Sequence, residues 1–309
     1  MQKVATGPTL QGRIGRFQFT LRRQEAVTGL LFILPFVVFF VVFRVWPAIQ
    51  AILMSFRQWE ILMPEHPYIG LNNFRELMND DLWWLSLRNT SLFAVLTVIG
   101  NTVISLAAAL VVIQPIRFQT LYRVVFYAPV LLSVSSVCVI WNWILNNQFG
   151  VLNYFLSKFG IAPVPWTADP NIVIPSLSLV TIWWGFGFPM LVFMAGLQAI
   201  PEHLYEAAKI DGANAWQRFR FVTLPLLRPT ILFVTVTQFI AHLQVFGQSF
   251  IITGGGPGRS SYTVIMHLYY TAWRFYRMGY GAAMAVALGI IMIILTLIQF
   301  RFFGRREEE

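Results

Sequence analysis

Residues Glu206–Leu227 read EAAKIDGANAWQRFRFVTLPLL. Apolar runs flank this basic stretch, and its own pattern is that of two short helices around a sharp turn. Glu206-Ala207-Ala208-Lys209 is made of strong helix formers. Asp211-Gly212 stops that helix, because glycine accepts the left-handed conformation a reversal needs. Ala213–Phe221 can form a second short helix with Trp216, Phe219 and Arg220 at helical spacing. Leu224-Pro225 is expected to end it and turn the chain into the next apolar run. The small Ala207 and Ala208 let another backbone approach closely. The product is an elbow at the surface of whatever buries the apolar runs.

What buries them is a bilayer. Of 309 residues, 57% are hydrophobic and 11% charged, against about 25% charged in soluble proteins. A membrane crossing needs about 20 apolar residues. Six stretches free of Asp, Glu, Lys and Arg are long enough: Ala26–Phe43, Asn89–Ile116, Val124–Ser157, Pro170–Pro201, Pro229–Gly258 and Met278–Phe300. The first is short, but apolar character resumes at Val45 and runs to Phe56, and Arg44 is placed to snorkel to an interface. It is not a secretory leader, since the tail before it is long and no small-residue cleavage site follows. The expected fold class is all-α: a polytopic membrane protein with about six transmembrane helices.

The segments between these runs alternate in charge. Segment 1–25, the loop at Arg117 and Arg123, segment 200–228 and the C-terminal tail hold fourteen of the 22 basic residues, and the opposite side holds seven. Basic residues concentrate on the cytoplasmic side. Both termini are therefore expected in the cytoplasm, with 1–25 and 304–309 as tails and 26–303 as the membrane domain (core 85–303). Arg259, Arg274 and Arg277 run against this trend. The net charge of +9 then reports topology, and no nucleic-acid partner is expected. Trp46, Trp83, Trp84, Trp141, Trp143, Trp166 and Trp273 fall near the outer ends, as an anchoring belt would, with ligand stacking by one or two as the other reading.

Several chemistries are disfavoured. Cys138 is alone, which excludes a disulfide framework and CxxC sites. His66, His203, His242 and His267 lack metal-ligand spacing, so no metal or cofactor is expected on this chain. The spans contain no carboxylate, and proton-coupled transporters and membrane hydrolases need such groups or a nucleophile with its base. Gly254–Gly258 lacks the Lys-Ser/Thr of a phosphate loop and reads as a turn. Energy for uphill work must come from elsewhere. Trp184–Pro189 (WGFGFP) is one broken helix with no matching break in the first half, unlike an inverted repeat. Asn73 and Glu76 have capping-box spacing for a short outer helix. Gly281, Ala285 and Gly289 form a small-residue face suited to helix packing or to a subunit interface.

The elbow resembles the signature of the permease subunits of bacterial binding-protein-dependent ABC importers: Glu-Ala-Ala, three residues, Gly, nine residues, Ile, one residue, Leu-Pro. Here Glu206-Ala207-Ala208 is followed by Gly212, then Val222 in the Ile place, then Leu224-Pro225. Phe32–Pro35 with Phe43–Pro47, Tyr68–Phe74 and Thr253–Pro257 are similar to the sugar-type branch, nearest the first permease of maltose and glycerol-phosphate systems. Gly247 departs from the Asp that many relatives carry after the Phe matching Phe246. The resemblance implies an ABC importer permease fold in the bacterial inner membrane. It also implies a second, related permease, two cytoplasmic ATPase subunits that use the ATP, and an extracytoplasmic solute-binding protein. The elbow, 200–228, would be the coupling helix: Glu206, Ala207, Ala208, Asp211, Gly212, Leu224 and Pro225 would serve it, with Glu206 facing an ATPase arginine. The chain would be a transport subunit and not an enzyme.

A substrate path is expected on the fifth run. At about 100° per residue, Gln244 and Gln248 fall within about 20° of Thr237, while Gln238, Ser249 and His242 lie about 100–140° from it. Half of a continuous helix is thus more polar. Gln238, His242, Gln244 and Gln248 can both donate and accept hydrogen bonds, as sugar hydroxyls require. The other reading is structural bonding between helices. Other solutes, such as amino acids or polyamines, stay open, as do a membrane enzyme and a scaffold without transport.

Overall fold

The computed structural model describes residues 26–115 and 117–304; the segments 1–25 and 305–309, both expected as tails, lie outside them. The described residues are helical, with isolated bridges at Arg57–Tyr68 and Glu60–Arg277. The chain divides into two units, Met1–Met54 and Ser55–Glu309.

Helix α1, Ala26–Ser55, accounts for nearly all of the described part of the first unit. Phenylalanines four apart meet along it, Phe36 with Phe40 at 5.9 Å and Phe39 with Phe43 at 6.0 Å between ring centres. A π-turn at Val41–Val45 contains Arg44.

The second unit continues with α2 (Asn72–Met78), α3 (Asp81–Val112), α4 (Gln119–Tyr127), α5 (Val134–Ile144), α6 (Val151–Lys158), α7 (Val173–Gly185), α8 (Gly187–Gln198) and α9 (Glu202–Ile210). Then come α10 (Ala215–Leu226), α11 (Arg228–His242), α12 (Val264–Tyr269) and α13 (Met278–Gly304).

Helix α3 is the central post and packs against α7, α8, α11 and α12. Its 32 residues make about 48 Å, more than the roughly 30 Å of hydrocarbon it must cross. Asp80 starts it, its Oδ1 accepting from the Leu82 amide at 2.9 Å. The helix is apolar outside and polar inside. Thr97, Asn101 and Ser105, four residues apart, are buried, while Val95, Ile99 and Val103 are exposed. In water that pattern would be unstable. In lipid the outer face meets solvent as apolar as itself, and helices associate through packing and interior hydrogen bonds.

Only three of the six expected crossings are straight helices: α1, α3 and α13. Val124–Ser157 and Pro170–Pro201 are bent, by 97° at α4–α5 and 53° at α7–α8, and the run that begins at Pro229 holds α11, which meets the elbow helix α10 at 65°. Val124–Ser157 is therefore not one span. It breaks after a 3-10 turn at Ala128–Leu131, α5 restarts with Ser133 as its cap, and α6 is a separate helix. The α7–α8 break falls at Phe186, inside WGFGFP. A Cβ at Gly187 would lie 2.4 Å from the Phe126 carbonyl oxygen, so glycine is what lets α4 cross here. Leu224-Pro225 forms the last turn of α10, which ends at Leu226, and the chain then turns into α11, as expected. Proline at the first positions of a helical turn needs no N–H partner, and the turn Leu224–Leu226 continues to the corner at Leu227.

Three smaller expectations change. Asn73 does not cap α2; it is buried, and its amide donates to the carbonyls of Ser55 at 2.8 Å and Arg57 at 3.0 Å. Trp83 is not in a surface belt but sits in the core beside Leu77, Met284 and Leu288, whereas Trp46, Trp143 and Trp273 are exposed. On α13, Gly281 abuts Ala272, but Gly289 faces open space, so the small-residue face is packed only at its upper end.

Candidate transport path and coupling elbow

The elbow forms as its sequence dictates. Gly212 has φ +80°. Its amide donates to the Lys209 carbonyl at 3.1 Å, and the Ala213 amide to that of Ala208 at 2.9 Å, the pair of bonds that closes a helix C-terminus over a left-handed glycine. A Cβ at Gly212 would meet nothing within 4 Å, so the demand there is purely conformational. The second limb opens on a reciprocal cap missed in the sequence: Asn214 Oδ1 accepts from the Gln217 amide at 2.9 Å, and Gln217 Oε1 from the Asn214 amide at 2.8 Å. The limbs are joined by a bond of 3.0 Å between the hydroxyls of Tyr205 and Thr223.

Glu206, Ala207, Asp211 and Gly212 are exposed, and Ala208, Leu224 and Pro225 half-buried. Around them Ile210, Trp216 and Phe221 are exposed at 86%, 64% and 68%. A surface elbow that presents large apolar side chains beside a carboxylate is a candidate for cover by another protein.

The midsection of the bundle holds a second polar group. Asn101 of α3, Gln238 and His242 of α11 converge. His242 Nε2 is 2.5 Å from Gln238 Oε1. Asn101 Nδ2 lies 3.2 Å from that same Oε1 and 3.3 Å from His242 Nε2. Beside them a cleft of about 220 Å³ is lined by Gly185, Phe188, Phe233, Thr237, Gln238 and Ala241, among others. Every residue lining it is uncharged.

Gln244 and Gln248 do not join this group. The expected face assumed a continuous helix, but α11 ends at His242. Tight bonds from Gln244 to Ala241 and Val245 to His242, each 3.3 Å, break the register. The chain resumes as a π-turn at Ser249–Thr253. Gln244 is exposed and its amide donates to the Ile240 carbonyl at 2.9 Å, while Gln248 is buried. The Val245 carbonyl freed by the break accepts from Thr263 Oγ1 at 3.1 Å. Asn101 was missed, although the spacing Thr97, Asn101, Ser105 in an otherwise apolar run would have found it.

At the other end of α3, Asp80 Oδ2 accepts from Tyr280 at 2.7 Å and His267 at 2.9 Å. Burial by itself would raise the Asp80 carboxyl, but these hydrogen bonds and the His267 charge outweigh it and hold the group below the usual carboxylate range. Arg277 and Glu76 form a two-pronged ion pair, both contacts 2.7 Å. Among the described residues no group of His, Cys, Asp and Glu could hold a metal ion.

The chain is 30% identical over 277 residues to the trehalose/maltose transport system permease MalF of Thermococcus litoralis, covering 89% of this chain and 92% of that one. It is 32% identical over 289 residues to the arabinooligosaccharides transport system permease AraP of Halalkalibacterium halodurans, covering 93% and 90%. It shares its fold with a chain of a bacterial alginate ABC transporter crystallised with an alginate pentasaccharide-bound periplasmic protein, at a TM-score of 0.80 and 23% identity over 95% of this chain and 99% of that one. Residues 102–307, which include the elbow, Gln238 and His242, match the family model described as the binding-protein-dependent transport system inner membrane component. The chain belongs to that family and is a multi-pass, inner-membrane permease of the ABC importer fold.

Proposed function

We propose that this permease is one of two related membrane subunits of an ATP-driven importer of neutral sugars, and that the cleft beside Gln238 lies on the sugar's path. The observation that carries the reading is the meeting of amide and imidazole groups beside an uncharged cleft that opens on the face of the bundle. Intramembrane polar groups are functional candidates by default. Uncharged donors and acceptors suit hydroxyls better than the formal charges of amino acids or polyamines. The relatives that carry trehalose, maltose and arabinooligosaccharides point the same way.

Both termini lie in the cytoplasm, as the excess of basic residues there supports. The elbow then faces two ATPase subunits, with Ile210, Trp216 and Phe221 seated against one of them and Glu206 facing a basic partner. A solute-binding protein delivers the sugar from the far side. ATP binding by the partners biases the permease between its two states.

The test is uptake of radiolabelled maltose, trehalose and arabinotriose into proteoliposomes holding the full complex with its binding protein. Gln238→Leu and His242→Leu should each lower uptake at least about tenfold, the loss expected when a hydroxyl partner worth about 1.4 kcal/mol is removed. Gln244→Leu should transport normally. Normal uptake by the first two variants, or transport of none of the three sugars, would overturn the reading.

A further inference from the structure

The three-residue group at the midsection is one hydrogen-bond partner short. His242 Nε2 faces two amides and cannot donate to one while accepting from the other. As oriented, the imidazole and the Asn101 amide both donate to Gln238 Oε1. Asn101 Oδ1 is then buried with no partner. If both amides are turned over, the Gln238 amide donates to His242 and to Asn101, and the Asn101 NH2 is stranded instead. In either state the unmatched atom belongs to Asn101, which is fully buried. A buried amide atom without a partner carries the full desolvation penalty. Such a group in a native interior calls for a partner from outside the chain, a water, an ion or a ligand, or for a functional role.

The way in is through Gly185, which lines the cleft. A Cβ on Gly185 would stand 3.4 Å from Asn101 Nδ2 and 3.9 Å from Oδ1. The missing side chain leaves a methyl-sized gap between the cleft wall at Gly185 and the buried amide of Asn101. One helical turn along α3, Thr97 Oγ1 is also buried without a partner.

We infer that Asn101 is a specificity-determining residue of the transport path, which receives a substrate hydroxyl through the opening at Gly185. A hydroxyl both donates and accepts, so it completes the group in either amide state. The assignment rests on the path proposed above and adds a third helix, α3, to it. It makes the sugar the missing fourth member of the network, so that discrimination depends on where its hydroxyls point. Sites built to bond a hydroxyl reject analogues that lack or misplace it far more strongly than apolar sites do.

The experiment uses the full complex in proteoliposomes and the same three labelled sugars. Asn101→Leu should lower uptake efficiency at least tenfold for the best-transported sugar and change the rank order of the three. Asn101→Ser, which keeps a hydroxyl, should restore part of the loss. Gly185→Ala should reproduce the loss without touching Asn101, and Asn101→Leu with Gly185→Ala should be no worse than Asn101→Leu alone. Equal loss for all three sugars with rank order kept would mean that Asn101 holds a structural water, and would overturn the inference. So would wild-type uptake by Asn101→Leu. If Asn101→Leu fails to assemble, Asn101→Ser and Gly185→Ala decide, and wild-type rank order in both overturns it. When Gln238→Leu and His242→Leu are impaired but these variants are not, the Asn101 role fails and the path stands. When Gln238→Leu and His242→Leu transport normally, the path itself fails.

Discussion

The hydroxyl of Ser105 donates to the main-chain carbonyl of Phe186 across 2.7 Å. A side chain in the middle of α3 thereby adds a second donor to the carbonyl at which α7 gives way to α8, which also accepts from the Met190 amide at 3.1 Å. Broken helices survive at membrane depth only where the loose backbone groups find such partners. Ser105→Ala should destabilise the permease by about 0.5–1.5 kcal/mol, a fall of a few degrees at most in thermal unfolding in detergent, while Ser105→Thr should be milder. Equal melting of Ser105→Ala and wild type would mean that the carbonyl is served by another group.

The elbow makes a sharper demand on one residue. With φ at +80°, Gly212→Val should strain the turn by about 1–2 kcal/mol and misplace the exposed apolar patch. Glu206→Ala should remove a charge-assisted contact with the ATPase. In both variants sugar uptake should drop severalfold while the permease still reaches the membrane, as judged by membrane-fraction blotting. Full uptake by both would end the coupling role of these residues.

Asp80 gives a pH dependence with a definite sign. Its folded-state pKa lies below the ordinary 3.8, so its hydrogen bonds stabilise the protein above that value. The contribution is lost as pH falls through the lower, folded-state value. The melting temperature of wild type should exceed that of Asp80→Asn at about pH 5, and the gap should close as pH is taken down towards about 3. A gap that persists undiminished at the acid end would show that the carboxylate's charge is not what matters.

Purified by itself and reconstituted, the chain should neither hydrolyse ATP nor concentrate maltose, because its sequence carries no Walker motif and its spans no carboxylate relay. The assay is phosphate release together with counterflow-free uptake. ATPase activity that copurifies with the single chain through two different affinity tags would contradict the division of labour.

The crossings were legible because charge-free runs report partition into lipid, and Glu206–Pro225 was legible because its motif fixes a turn at Gly212. Direction inside a crossing was not. Apolarity is blind to a 97° bend, and the bends rest on long-range bonds such as Ser105 to Phe186 that no local pattern carries. The helical wheel holds for Gln238 and His242, which meet because both precede the break, and fails for Gln244 and Gln248 because both follow it. Asn73 illustrates the same limit: its spacing fits a cap, yet its amide is claimed by carbonyls 16 and 18 residues back.

The corner at Leu227 has a mechanical consequence. The chain turns by 65° between α10 and α11, and two helical bonds straddle the corner, from the Leu227 amide to Thr223 at 2.9 Å and from the Ile231 amide to Leu227 at 2.8 Å. Leu227 itself is fully buried. The two arms therefore form a rigid crank pivoting on a single packed leucine. If the elbow is the coupling element proposed above, a sideways push on it would be converted into rotation of the shaft that carries Gln238 and His242. Torque of that kind can turn two side chains into or out of a cleft while the rest of the bundle stays where it is.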